Sequence, residues 1–141
     1  MASRKISDLH EDIRDRATAF LDSCRQAGIE LLVTCTLRTA MEQDALYAQG
    51  RKPLEEVNKL RKLAGLSALT GKPRIVTNAK AGQSKHNSGK AFDVVLLDDA
   101  GKPVWDVKDE RWQLIGEIGK QCGLEWAGNW KTFKEYPHFE V

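Results

Sequence analysis

The feature that most constrains the fold is an apolar run at residues 91–97, which a single carboxylate, Asp93, interrupts. A short, strongly apolar run of this kind predicts a strand buried within a sheet. An isolated carboxylate in such a strand would be costly or would take up a proton. Asp93 therefore needs a partner: a cation, a set of hydrogen-bond donors such as backbone amides, or a metal ion.

Size and composition place the chain among globular proteins of one domain. It has 141 residues, of which 41% are hydrophobic and 30% charged, and its net charge of +2 is too small to indicate nucleic-acid binding by itself. No apolar run approaches ~18 residues, and the charged start predicts no signal peptide. Cys24, Cys35 and Cys122 lie in apolar segments, and we expect them to be reduced, buried thiols.

Residue periodicity predicts alternating helices and short strands. The predicted helices cover residues 7–27, 39–50, 54–64 and 109–122, and the predicted strands cover 30–36, 91–97, 104–105 and the C-terminal end. Ser7 is the expected cap of the first helix, and Thr39 with Glu42 forms a capping box for the second. Residues 66–83 are predicted as loop, with 74–77 extended. This order predicts an α+β fold.

Two of the three histidines are candidates to join Asp93. His86 lies seven residues before it in a polar segment, and Gly89 can form the turn or bulge that lets both side chains converge. His138 lies in an alternating segment that places it on the same strand face as Glu140. Two imidazoles and one carboxylate are typical of a catalytic zinc site, which keeps a fourth position for water.

Two acidic residues beside His138 are candidate general bases. Glu135 precedes it by three residues across a proline-containing turn, from which its carboxylate can reach a water in the fourth position. Glu140 is the alternative base, or it orients a ligand through a hydrogen bond. We favour Glu135 as the base, and we assign no role to His10, which lies at the start of a surface helix.

The segment Ser84-x-His86-x-x-Gly89-x-Ala91-x-Asp93 resembles the S-x-H-x-x-G-x-A-x-D motif of the zinc D-Ala-D-Ala carboxypeptidase and L-alanyl-D-glutamate peptidase family. Residues 130–140 resemble the closing motif of the family's phage endolysin branch, and residues 37–51 resemble the early motif of that branch. The resemblance extends over roughly residues 28–141. It implies a single domain with the D-Ala-D-Ala peptidase or hedgehog-like fold, in which a small antiparallel sheet packs against helices.

The resemblance also implies a role for each matched residue. His86, Asp93 and His138 fall on the ligands of one zinc ion. Glu135 falls on the catalytic acidic position, where endolysins often carry Asp and the dipeptidase relatives carry Glu. Arg38 falls on the arginine that faces the substrate carbonyl. The residues expected to bind substrate or support the site are Ser84, Gln43, Glu140, Trp130 and Tyr136.

The implied function is zinc-dependent hydrolysis of the L-alanyl-D-glutamate bond of the peptidoglycan stem peptide by a phage or prophage endolysin in host lysis. Such an enzyme is made in the host cytoplasm and acts on the cell wall after release. We expect a monomer with no wall-binding domain, no nucleic-acid partner and no stable membrane insertion.

The alternatives are a D-Ala-D-Ala carboxypeptidase or dipeptidase, and a non-catalytic, zinc-stabilised wall-binding module. Manganese or cobalt also suits these ligands.

Two other segments each allow two interpretations. An aromatic group either pins the C-terminus by packing or forms a cleft wall; its members are Trp126, Trp130, Phe133 and Tyr136. Residues 51–80 carry eight basic and two acidic side chains, which form either a solvated face or a surface that attracts an anionic polymer. We expect the whole 51–83 stretch to be an insertion or a flap near the cleft.

Overall fold

The computed structural model describes residues 2–132 and 134–141, which form four α-helices and one antiparallel sheet. The helices are α1 (Glu11–Gln26), α2 (Ala40–Ala48), α3 (Leu54–Leu63) and α4 (Arg111–Gln121). The strands are β1 (Leu31–Cys35), β2 (Ala91–Leu97), β3 (Pro103–Val104), β4 (Glu125–Trp126) and β5 (His138–Glu140). The predicted α+β class, with a small antiparallel sheet packed against helices, is confirmed.

The sheet places β2 at its centre, as the apolar run predicts. The strand order is β1-β2-β5-β4, and β3 also pairs with β2. In this register Asp93 lies opposite His138 of β5. A register shift after Val33 brings Cys35 of β1 opposite Asp93 on its other side. The carboxylate therefore lies in the middle of a row that crosses three strands.

The core that supports this row lies between the sheet and two helices. Phe20 of α1 packs on Phe92 of β2 and Phe139 of β5, with ring centroids 5.7 and 4.6 Å away. From α4, Trp112 and Ile115 join the same core. Fully burying side chains of this size contributes about 1.5–3 kcal/mol each, so the strands that carry the site are firmly held.

The predicted start of the first helix was wrong. Residues Ile6–Asp8 form a separate 3₁₀ turn, and α1 begins at Glu11 after the cap residue His10. The Nδ1 atom of His10 accepts a hydrogen bond from the backbone N–H of Asp12 at 3.1 Å, so His10 caps the helix in place of Ser7. A tertiary contact accounts for the difference, because the His10 N–H donates to the Gly89 carbonyl instead of entering a helix.

Other boundaries differ by a few residues. The return strand is Pro103–Val104, so that Trp105 lies outside it and is 56% exposed. Helix α4 is two residues shorter at its start than predicted. Residues 72–77 form no helix, turn or bend, and the predicted extended segment 74–77 belongs to none of the strands. Within the described ranges, no helix has the length and apolar character needed to cross a bilayer.

Candidate active site

A short 3₁₀ turn, Lys85–Ser88, delivers His86 to the sheet. The Ser84 hydroxyl caps this turn by accepting a hydrogen bond from the His86 N–H at 3.2 Å. Gly89 ends the turn with a φ of 71°, in the left-handed region that favours glycine. A Cβ there would also lie 3.0 Å from the backbone nitrogen of His10. Ser84 and Gly89 thus set the position of His86 just before β2.

The two imidazoles meet on one oxygen of Asp93. The Nε2 atom of His86 lies 3.1 Å from Asp93 Oδ1, and the Nδ1 atom of His138 lies 2.9 Å from the same oxygen. Both histidines are buried, whereas the Asp93 side chain keeps 22% of its surface exposed. The structure therefore brings together the three residues that the motif singled out, at the floor of an open cleft.

Hydrogen bonds on the far side of each imidazole fix its orientation. The Nδ1 atom of His86 lies 2.8 Å from the carbonyl oxygen of Thr36, which can only accept, so this nitrogen carries the proton. The Nε2 atom of His138 lies 2.8 Å from Glu140 Oε1 and donates to it. Such partners leave the opposite ring nitrogen available as a ligand and raise its basicity. Glu140 therefore contacts the His138 nitrogen that faces away from Asp93.

The sequence did not indicate that Cys35 belongs to this centre. Its Sγ lies 3.6 Å from His86 Nδ1 and accepts a hydrogen bond from Arg38 Nη2 at 3.6 Å. In the described part of the chain, Cys35, His86 and Asp93 are the one set of possible ligands whose donor atoms all lie within 4.8 Å of one another. Its place three residues before Arg38, just ahead of the early motif, was the available signal.

The charges in the cluster depend on one another. Burial disfavours the imidazolium form of both histidines. The hydrogen bonds and the charge of Asp93 outweigh the effect of burial, and they raise the pKa of His86 to about 10 and that of His138 to about 9. Burial also opposes ionisation of Asp93, yet hydrogen bonds from His138 and His86 hold the pKa of its carboxyl well below the usual range. Without a metal ion, the cluster is thus a carboxylate bridged by protonated imidazoles.

This donor set fits zinc. Two imidazoles and a carboxylate are common ligands in catalytic zinc sites. When a zinc ion binds, the imidazoles lose the protons that they share with the carboxylate, and the ion takes the place of these protons. His86 and His138 present their nitrogens to the same Asp93 oxygen. Cys35 instead approaches His86 at Nδ1, which the Thr36 carbonyl already occupies. His138 and Cys35 are therefore both candidates for the third ligand beside His86 and Asp93.

Glu135 stands at the rim of the cluster. Its Oε2 atom lies 3.7 Å from His138 Nδ1, and its side chain is 33% exposed. The backbone N–H of Glu135 donates to the carbonyl of Ala127, which ties the turn before β5 to the neighbouring 3₁₀ turn. Burial raises the pKa of the Glu135 carboxyl, an effect that the nearby positive charge of His138 opposes. A raised pKa makes a carboxyl group better suited to taking up a proton and releasing it again, as a general base and acid does.

Arg38 faces Asp93 from the side of α2. Its Nη2 lies 4.0 Å from Asp93 Oδ2, and its Nη1 donates to Gln43 Oε1 at 2.9 Å. Gln43 is fully buried, and its Nε2 donates to the carbonyl oxygen of Ala79 at 2.7 Å. The Arg38 backbone N–H also donates to the His86 carbonyl. These contacts hold the guanidinium, itself 14% exposed, as a fixed cation beside the cluster.

These groups share a cleft of about 950 Å³. Trp130 and Tyr136 line one wall, and the Trp130 ring centroid lies 5.6 Å from that of His138. Trp126 is buried instead, and its Nε1 donates to the Tyr136 carbonyl at 2.8 Å. The aromatic group therefore combines both interpretations, packing at Trp126 and a cleft wall at Trp130 and Tyr136. Phe133 lies outside the described residues.

Part of the basic stretch is structural. Arg51 donates to the carbonyl oxygens of Tyr47 and Thr77 and stacks on the Tyr47 ring at 3.9 Å from its centroid. Arg61 donates to the Ser67 carbonyl and to Gln49 Oε1. These two cations hold the stretch to the body of the protein. Its residues 75–79 also line the cleft.

Comparisons with known proteins agree with this arrangement. Residues 77–141 match a family model described as D-alanyl-D-alanine carboxypeptidase. Over 142 aligned residues, the chain is 36% identical to the peptidoglycan L-alanyl-D-glutamate endopeptidase CwlK of Bacillus subtilis (strain 168), covering 96% of this chain and 74% of the relative.

Two solved structures share the fold. The L-Ala D-Glu endopeptidase ChiX of Serratia marcescens superposes with a TM-score of 0.59 at 23% identity, covering 100% of this chain and 88% of that one. The vancomycin resistance D,D-pentapeptidase VanY, in complex with Zn(II), superposes with a TM-score of 0.61 at 16% identity, covering 94% of this chain and 72% of that one.

Fold and relatives together define the class of the protein, which is a metallopeptidase. More particularly, the chain belongs to the family of D-Ala-D-Ala carboxypeptidases and L-alanyl-D-glutamate peptidases.

Proposed function

We propose that this protein is a zinc-dependent peptidoglycan endopeptidase that hydrolyses the L-alanyl-D-glutamate bond of the stem peptide. The observation that carries the proposal is the convergence of His86 and His138 on Asp93 at the floor of the cleft. A closed structural zinc site uses four protein ligands, whereas three leave a position open for chemistry. This distinction argues against a zinc-stabilised wall-binding module.

In this proposal one zinc ion is held by His86 Nε2, an Asp93 carboxylate oxygen and His138 Nδ1. Zinc bound there supplies Lewis-acid polarisation of a carbonyl and lowers the pKa of water toward ~7. Thr36 and Glu140 hold the two imidazoles in the required tautomers through the hydrogen bonds described above.

Glu135 and Arg38 carry the remaining steps. The Glu135 carboxylate accepts the proton of the attacking water and then donates it to the departing amine, a role that suits its raised pKa and partial exposure. The Arg38 guanidinium lies on the other side of Asp93 and stabilises the negative charge that develops on the carbonyl oxygen. Gln43 holds that guanidinium in place, so it acts as a positioning residue.

The choice of scissile bond rests on the relative CwlK, which is 36% identical to this chain over 96% of this chain's length. The cleft, at about 950 Å³, is also open and large enough for several residues of a peptide. The second candidate, a D-Ala-D-Ala carboxypeptidase or dipeptidase, has the support of the family description that matches residues 77–141. The zinc chemistry is the same for both.

We also propose that the enzyme is a phage or prophage endolysin, acting in host lysis as a monomer after release from the cytoplasm. The support is the resemblance of the early and closing motifs to the endolysin branch. Co-expression with a membrane-permeabilising protein tests this part separately. We expect lysis with the wild-type chain and no lysis with Glu135→Gln, whereas equal lysis by both would contradict the role.

The decisive experiment is digestion of purified peptidoglycan with and without a chelator, followed by mass spectrometry of the fragments. New L-Ala carboxyl ends and D-Glu amino ends, lost on chelation and restored by zinc, are the expected result. Release of terminal D-Ala alone would assign the carboxypeptidase activity instead. If the folded, zinc-loaded protein cuts no bond, the non-catalytic wall-binding module becomes the better account.

A further inference from the structure

The early motif contains residues that the catalytic chemistry does not use, and they converge on the 75–79 segment of the cleft wall. Arg51 Nη1 donates to the Thr77 carbonyl at 2.9 Å, and Arg51 Nη2 donates to Asn78 Oδ1 at 3.0 Å. Gln43, which also holds Arg38, donates to the Ala79 carbonyl. The segment is therefore fixed to the same scaffold as the catalytic arginine.

Gly50 allows the close approach at the other end of the segment. Its φ is 81°, and a Cβ at this position would lie 2.5 Å from the backbone nitrogen of Ile75. The chain around Ile75 thus packs directly against the backbone of Gly50. A segment held at Ile75, Thr77 and Ala79 forms part of the lining of the cleft.

The backbone directions follow from this attachment. In an extended chain, successive residues turn their N–H and C=O groups to opposite sides. The Ile75 nitrogen and the Thr77 carbonyl face the scaffold of Gly50 and Arg51. An extended backbone at residues 75–77 would turn the N–H and C=O of Val76 away from that scaffold. Across residues 2–132 and 134–141, neither group has a backbone partner.

The surroundings of Val76 suit an extended peptide. Ile75 and Val76 are 48% and 45% exposed, and both line the cleft that contains His86, Asp93 and His138. A backbone N–H and C=O without backbone partners, beside exposed apolar side chains, can hydrogen-bond an extended peptide as the edge strand of a sheet does. We propose that the backbone N–H and C=O of Val76 pair with one residue of the stem peptide and align it across the catalytic cluster.

This inference rests on the proposed function, since it requires a peptide substrate, but it is tested separately. Val76→Pro removes the N–H and is compatible with extended backbone. Val76→Ala keeps the N–H and shortens the side chain. Ala68→Pro is the matched control, because Ala68 is exposed, lies in a stretch without helix, turn or bend, and does not line the cleft. Thermal melting and zinc content are measured for each variant.

With a soluble muropeptide that bears the complete stem, we expect Val76→Pro to raise KM about three- to tenfold, with kcat little changed, since one hydrogen bond is lost. Ala68→Pro keeps the wild-type KM, and Val76→Ala raises it by less than Val76→Pro. An unchanged KM in folded Val76→Pro overturns the inference. So does an equal rise in Val76→Ala, which would indicate apolar contact alone. Failure of the wild-type protein to cut any stem peptide contradicts the proposed function instead.

A substrate series keeps the inference testable if Val76→Pro does not fold. Stem peptides in which one non-scissile amide is replaced by an ester lose one backbone donor and weaken one acceptor. With the wild-type enzyme, a several-fold higher KM at one position supports pairing with Val76. No effect at any position contradicts it.

Discussion

Glu140 Oε1 lies 2.8 Å from His138 Nε2, and this contact determines which nitrogen of His138 faces Asp93. Because Nε2 donates to the carboxylate, Nδ1 remains to bind a metal ion. Glu140→Gln weakens the contact while preserving its shape. We expect zinc affinity to fall about 10–100-fold, measured by competition with a chromophoric chelator. Glu117→Gln, an exposed change on α4, is the control, and equal affinities of the two variants would contradict the orienting role.

Removal of a ligand distinguishes His138 from Cys35 as the third zinc ligand. We expect His138→Ala to reduce bound zinc from about one per chain to almost none, because two remaining protein ligands hold the ion weakly. Cys35→Ser should retain zinc, since the thiol faces the other nitrogen of His86. Elemental analysis after dialysis checks both, with His10→Asn as a histidine control that preserves the helix cap. Loss of zinc in Cys35→Ser alone would make Cys35, and not His138, the third zinc ligand.

Glu135→Gln tests the general base without a change in size. We expect kcat for stem-peptide cleavage to fall about 10²–10⁴-fold, because the amide cannot accept the proton. Zinc content and melting temperature should match those of the wild-type protein. Glu56→Gln on the exposed face of α3 provides the control. Normal turnover by Glu135→Gln would exclude Glu135 as the base.

Arg38→Ala removes the fixed cation beside the cluster. The expected result is a loss of about 10²–10³-fold in kcat, with a smaller change in KM, because the charge that it stabilises develops in the transition state. Steady-state kinetics on a stem peptide measure the two effects separately. Arg111→Ala removes a guanidinium that is paired with Asp109 away from the cleft and should be neutral for catalysis. A change in KM alone would make Arg38 a substrate-binding residue.

The metal-free protein should lose stability as pH rises. In the folded protein the pKa values of His86 and His138, about 10 and 9, exceed the ordinary value of 6.5. The stability that the two protonated imidazoles add to the folded state is therefore complete below pH 6.5 and disappears as pH rises through 9–10. The pKa of Asp93 is lowered, so its carboxylate stabilises the folded state above its ordinary pKa and this stabilisation is lost in acid. Zinc needs unprotonated imidazoles, so the stabilisation that it adds should grow over the same alkaline range.

Melting temperatures with chelator and with zinc, from pH 5 to 10, check this dependence. We expect the difference between the two curves to grow as pH rises toward 9–10. A constant difference between them over that range would mean that the imidazoles do not exchange protons for zinc.

Much of the candidate site was predictable because its signals are local. The conflict between Asp93 and its apolar strand required a partner, and the spacing of His86 and Gly89 supplied one. Register could not be predicted in this way, because the pairing of Asp93 with His138 depends on where β5 docks. Cys35 was missed for the same reason, since a register shift in β1 brings it opposite Asp93. The helix start also differed, because the contact between His10 and Gly89 is tertiary.

Local sequence patterns alone predicted the element types, the buried central strand and the grouping of His86, Asp93 and His138. These follow from periodicity and from the cost of burying a charge, which are properties of neighbouring residues. Packing between distant segments established which imidazole nitrogen faces Asp93, that Glu140 contacts His138, and that Gly50 and Arg51 contact residues 75–79. Those features depend on hydrogen bonds and close approaches between segments far apart in the chain, which no local pattern specifies.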